Sequence, residues 1–175
     1  LYALHAGEPQ EVADAVEQHY LPDAADADLP ASDIATVVSL ADKIDTIVGY
    51  FGVGQIPTGS ADPYSLRRHA ISVCRILLDK GMDIDLDPLL ERACAQYEAD
   101  PPMDSLREFF RARLVALLED RGHVYDAVDA VLSAGFSEVA ALPGRLAAVE
   151  ALRSSDTFDA AYPALNRVVR ILPDD

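Results

Sequence analysis

The chain has 175 residues, half of them apolar and 25% charged, with 30 acidic against 14 basic side chains and a formal charge of −16. It is long and apolar enough to bury a core, which excludes a disordered chain, and no apolar run reaches the roughly 18 residues of a membrane span. Bulk charge of this sign repels DNA, RNA and anionic membranes alike, so contact with a polyanion needs a local cluster of arginines.

In chain order, nearly every segment reads as helix. Gly7-Glu8-Pro9 opens the first, with Val12, Ala15, Val16 and His19 on one face and a stop before Pro22. An acidic loop from Asp23 to Asp28 leads to Ser32, a good N-cap. From Ile34 to Phe51, apolar residues recur at spacings of three and four, the strongest helical pattern in the chain. Gly49, Gly52, Gly54 and Gly59, with Pro57, then break it into a loop.

Asp62-Pro63 reads as N-cap and first turn of a helix that stops at Lys80-Gly81, and Asp87-Pro88 starts another that runs to Glu98. Asp100-Pro101-Pro102 is the best domain boundary. Beyond it, Asp104 caps a helix carrying Leu106, Phe109, Phe110, Leu114, Leu117 and Leu118. Helices over 124–134, 139–154 and 158–172 complete the chain. No period-two strand and no fixed-period repeat is present, so the expected class is all-α.

The chemistry-bearing residues are sparse. The glycine run from Gly49 to Gly59 lacks the lysine of a phosphate cradle, follows a helix rather than a strand and has Asp62 at the next helix start, so Gly52, Gly54, Pro57 and Gly59 are expected to form a structural turn. Leu40-Ala41-Asp42-Lys43-Ile44-Asp45 resembles the last-aspartate helix of HD-type phosphohydrolases. However, the chain has no adjacent His-Asp pair, and His5 and His19 alone do not complete a metal site. No metal is expected. Cys74 and Cys94 sit at apolar-periodic positions and read as core thiols, while His69 and His123 are isolated. No positively charged apolar leader precedes the chain, so an intracellular origin is expected. The abrupt opening at Leu1-Tyr2-Ala3 suggests a piece of a longer protein.

Arginines are the remaining signal. Residues 1–45 hold ten acids and the single base Lys43, whereas residues 101–175 hold eight arginines against twelve acids. Arg107 and Arg111 share a helical face from which Arg113 is displaced. Arg167 and Arg170 are three apart on the last helix, and Arg67-Arg68 follow the glycine loop. Two readings stay open at this point: pairing within a helix, such as Arg121 with Glu119 or Arg107 with the neighbours of Glu108, or contact with RNA.

The stretch Leu29-Pro30, Ser39 through Gly49 and Phe51 through Arg68 closely resembles the β subunit of bacterial heterotetrameric glycyl-tRNA synthetase. The most specific parts are Gly54-Gln55-Ile56-Pro57-Thr58-Gly59 and Asp62-Pro63 followed by Leu66-Arg67-Arg68. Tyr2-Ala3, Gly7-Glu8 and His19-Tyr20-Leu21-Pro22 fit the same family, as does Asn166-Arg167-Val168 through Ile171-Leu172 at the end.

The resemblance implies an all-α helical bundle in which 1–80 is the C-terminal part of an HD-like domain, 81–100 a helical linker and 101–175 an anticodon-binding domain. It implies a cytoplasmic C-terminal portion of the β subunit that recognises tRNA(Gly), partnered by an α subunit that carries the ATP-dependent glycylation. No catalytic residue and no cofactor is then expected in this portion. The implied tRNA-contacting candidates are Arg107, Arg111, Arg113, Arg167 and Arg170. Phe109 and Phe110 lie among the first three; at least one is expected in the core, leaving the other able to stack on a base.

Overall fold

The computed structural model describes residues 2–24, 26–98, 101–169 and 171, with the side chains of 165, 168 and 169 excepted. The helices are α1 (Tyr2–His5), α2 (Gln10–Gln18), α3 (Asp33–Gly52), α4 (Leu66–Asp79), α5 (Leu86–Cys94), α6 (Met103–Asp120), α7 (Tyr125–Ser133), α8 (Leu142–Arg153) and α9 (Asp156–Val169). A 3-10 turn over Val139–Ala141 precedes α8. Among the described residues there is no strand, only an isolated bridge between Thr58 and Ala61, so the fold is all-α as expected. Nor, among them, is any helix long and apolar enough to cross a membrane.

Helix α3 starts where its sequence says it should. Ser32 is its N-cap, its hydroxyl accepting the Ala35 N–H at 3.1 Å. The starts of α4 and α5 differ, the first for a local conformational reason and the second through a partner distant in sequence. Helix α4 begins at Leu66 rather than beside Asp62-Pro63, after Ser65 in the left-handed region (φ 55°). Asp62 still accepts the first free donors, from Leu66 at 2.8 Å and Arg67 at 3.0 Å. At the start of α5, the Leu86 N–H donates to the Ser137 carbonyl (2.8 Å) and the Asp87 N–H to the Ser137 hydroxyl (3.1 Å), a cap brought in by folding. The glycine run also divides differently: Gly49 and Gly52 lie inside α3, and the turn itself is made by Gly54 (φ +74°) and Gly59 (φ +52°).

One hydrophobic core runs through α3 to α8. Helix α4 packs against α3, α6 and the 3-10 turn. Leu40, Ile44, Ile47 and Phe51 of α3 meet Leu66, Val73 and Leu77 of α4, which continue into Leu106, Phe110 and Leu114 of α6 and then Val128, Val139 and Leu146. This core passes without a break across the prolines at 101 and 102. Both phenylalanines of α6 belong to it: Phe110 is fully buried, and Phe109, 7% exposed, packs edge-on against Phe51 at 5.1 Å. Neither ring is open to stacking on a base. On α2 the structure buries Ala13 and Ala15, the small residues that let it lie close on α3, and leaves Val12 and Val16 exposed.

The acidic loop after α2 has little regular structure, so its carbonyls need donors from elsewhere. Lys43 of α3, 3% exposed, reaches three carbonyls leading into that loop. Its ammonium donates to the carbonyls of His19 (2.8 Å), Tyr20 (3.1 Å) and Leu21 (3.1 Å) and to the Ser39 hydroxyl (2.9 Å). Ser39 donates to Leu21 (2.6 Å), Ser72 to Pro22 (2.8 Å), and Arg75 to Ala24 (3.1 Å) and Ala27 (2.9 Å). Burial pulls the Lys43 pKa below its ordinary value, a pull opposed by Asp42 and Asp23.

Lys43→Met keeps the chain's bulk and relieves the ammonium's desolvation, but strands the part-buried carbonyls of His19 and Tyr20, since Ser39 still donates to that of Leu21. The expected net loss is about 2–4 kcal/mol in urea unfolding, because each orphaned acceptor costs ~1–3 kcal/mol. A variant as stable as the parent would show that water replaces the ammonium without penalty.

Candidate functional site

Helix α6 carries Arg107 and Arg111 four residues apart, and both line a cleft of about 490 Å³ against Ser133 and Phe136. Arg107 Nη2 lies 3.0 Å from Asp87 Oδ2, with its guanidinium 5.9 Å above the Phe136 ring. Arg111 Nη2 lies 2.6 Å from Asp129 Oδ1. Both pairs are part-exposed, so each stabilises the fold by at most about 1 kcal/mol. The other oxygen of Asp87 is buried with no hydrogen-bond partner among the described residues, a desolvation cost that its ion pair with Arg107 offsets only in part.

Arg113 is not part of this cleft. Its guanidinium lies over the Phe109 ring at 4.0 Å, and its Nη1 donates to the Phe109 carbonyl at 3.0 Å. Burial, then the nearby charge of Arg67, lowers its pKa. Arg167 is exposed on α9, and Arg170 lies outside the described residues.

Among the described residues one ion pair lies within a helix, Arg75 with Asp79 on α4 at 3.8 Å, while the others join different elements. Besides Arg107 and Arg111, Arg121 meets Asp79 of α4 at 2.7 Å, and Arg153 of α8 meets Asp126 of α7 at 3.4 Å. Arg145 instead donates to the carbonyls of Gly135 (2.6 Å) and Val131 (2.9 Å), closing the end of α7. Packing delivers carboxylates and carbonyls that sequence spacing alone does not reveal.

Sequence reading missed a second concavity. A cleft of about 640 Å³ opens between α2, α3 and α5, walled by Val16, Val38, Ile44 and Leu89, with Asp42, Asp45 and His19 on its lining. The HD-like reading had singled out Asp42 and His19 by type, yet among the described residues no three His, Cys, Asp or Glu side chains are grouped to hold a metal. The His19 ring nitrogen Nδ1 instead lies 2.7 Å from the Val16 carbonyl. Cys74 is fully buried and its thiol is pushed up to about 12 by burial, so it offers no thiolate near neutral pH.

Beside this cleft, the Tyr97 hydroxyl donates to Asp45 Oδ1 at 2.6 Å, tying the segment after α5 to α3. It crosses directly over Gly49, where an added Cβ would lie 2.9 Å from the tyrosine oxygen. Gly49 is therefore a packing glycine inside a helix, and its signal in the sequence is its place in an otherwise continuous helical pattern.

The family model described as "Glycyl-tRNA synthetase beta subunit" matches residues 1–133. The chain is 46% identical over 179 residues to a "Glycine--tRNA ligase beta subunit" of Geobacter metallireducens, covering 99% of this chain and 26% of that protein. Proteins with the same description from Trichlorobacter lovleyi (45% over 181 residues) and Syntrophus aciditrophicus (40% over 179 residues) match equally far, again covering 99% of this chain and 26% of theirs. The chain thus spans about a quarter of the length of the curated relatives it matches.

The hydrogen bond to the Asp45 carboxylate is the chief cause that raises the Tyr97 pKa to about 12, from an ordinary 10.0. Its contribution to folding is complete below pH 10 and is lost as pH rises towards 12, because the unfolded tyrosine ionises first. An ultraviolet titration should show one late phenolate near pH 12 that moves down in Asp45→Asn and vanishes in Tyr97→Phe. A titration unchanged by Asp45→Asn would remove Asp45 as the cause.

Proposed function

Because this chain belongs to the glycyl-tRNA synthetase beta subunit family, we propose that it is the C-terminal portion of such a subunit and helps to hold tRNA(Gly). Glycine activation and transfer, with their use of ATP, then reside in a separate α subunit of a heterotetrameric cytoplasmic enzyme. The observation that carries the RNA assignment is the juxtaposition of Arg107 and Arg111 along one cleft. Each engages a carboxylate through a single nitrogen, and a guanidinium carries five N–H donors, so both retain donors for a phosphate. Their carboxylate partners already neutralise part of the charge, which makes them positioning contacts more than electrostatic attractors. Arg167 of α9 and Arg170, which lies outside the described residues, are secondary candidates. Arg113 is the weakest, since it is committed to Phe109.

The test is tRNA affinity of the whole α/β enzyme against salt concentration. Arg107→Ala and Arg111→Ala should weaken binding and flatten the log–log salt slope by at most ~0.7 each if the contact is to single-stranded loop phosphate. Arg167→Ala and Arg170→Ala should act in the same direction, and Arg113→Ala should lower stability rather than slope. Five folded variants with parental affinity and slope would refute the assignment.

The same reading makes this portion non-catalytic when isolated. Among the described residues no three His, Cys, Asp or Glu side chains are grouped to hold a metal, and the glycine turn follows a helix rather than a strand. The chain by itself should show no glycine-dependent pyrophosphate exchange; measurable exchange without an α subunit would contradict the division of labour.

A further inference from the structure

Helix α3 is apolar on two sides. One stripe, with Leu40, Ile44, Ile47 and Phe51, is in the core. The other, Ile34, Val37, Val38 and Ala41, recurs at helical spacing and faces outward, with Ile34 43%, Val37 55% and Val38 39% exposed. Across the cleft, Val16 of α2 is 57% exposed. Val38 and Ala41 of this stripe line the cleft, and an apolar stripe left exposed beside a cleft marks a place where something else packs.

We propose that this α2–α3–α5 cleft is the seat of another segment of the same, longer polypeptide. This rests on the reading of the chain as a portion of a full β subunit. The curated relatives are about four times the length of their matched part, so most of such a polypeptide lies outside these residues. A tethered segment competes at high effective concentration against any free partner. Charge sets its chemistry. The sole base of residues 1–45, Lys43, is buried on loop carbonyls, which leaves Asp42 and Asp45 to give the cleft its charge along α3. The occupant therefore presents an apolar ridge flanked by lysines or arginines, with Arg92 on the α5 wall available to an acidic residue at its edge.

The experiment uses the full-length β subunit carrying Val38→Cys, or Val16→Cys should the first impair folding, alkylated with N-ethylmaleimide and read by site-resolved mass spectrometry. The reference rate is that of the same site in urea. Protection of about a hundredfold or more in the β subunit alone, unchanged by dilution and by added α subunit, is the expected result, since reaction then requires local opening. Protection that falls on dilution would assign the cleft to a second copy, and protection that requires the α subunit would assign it to that chain. Either outcome overturns the proposal, as does a reactive thiol under every condition or a natural polypeptide of only these residues. The salt slopes of the arginine variants do not depend on this cleft, so failure here and failure of the RNA assignment are separable.

Discussion

The buried ammonium of Lys43 is the contact on which the first half of the molecule depends. A loop of poor regularity connects α2 to α3, and its carbonyls face inward where water is scarce. Lys43 gathers three of them at 2.8–3.1 Å, with the Ser39 hydroxyl as a fourth acceptor. A charge buried this deeply survives only because its donors are used, and its depressed pKa records the residual desolvation. With the loop held, α2 lies along α3 through small alanines, and the walls of the apolar cleft are set at their separation.

A second consequence concerns how an acidic chain deploys scarce bases. Of the described arginines, Arg75, Arg107, Arg111, Arg121, Arg145 and Arg153 each bridge to another element or loop, through a carboxylate or a backbone carbonyl. They stitch the periphery of a core that already unites α3 through α8. Such pairs stabilise modestly where solvent reaches them, so their chief effect is to orient the helices and to place Arg107 and Arg111 side by side. The RNA contact proposed for Arg107 and Arg111 would rely on geometry more than on net attraction, given a formal charge of −16.

The two clefts differ in kind, and the difference follows from what lines them. That beside α6 is lined by Arg107 and Arg111 together with Asp104, Glu108 and Phe136; it suits a polar ligand that exchanges hydrogen bonds. That between α2, α3 and α5 is apolar, with carboxylates along α3, and suits a packed polypeptide. Tyr97 couples the second to the core by reaching over Gly49 to Asp45, a contact possible only because that helical position has no side chain.

Helical character, the Ser32 cap and the family resemblance were all legible in the sequence, whereas the apolar pattern of α3 did not reveal that Ile34, Val37 and Val38 face outward. The shifted starts of α4 and α5 were not legible either, since Ser65 takes a left-handed conformation and Ser137 caps α5 from fifty residues away. Spacing placed Arg107 and Arg111 on one face correctly, but it could not reveal Asp87 and Asp129 as their partners or Phe109 as that of Arg113. Nor could it show that Lys43, the lone base of an acidic stretch, is an interior residue. Periodicity reports which side of a helix is apolar; which neighbour meets that side, and which charge it brings, is decided only when the helices pack.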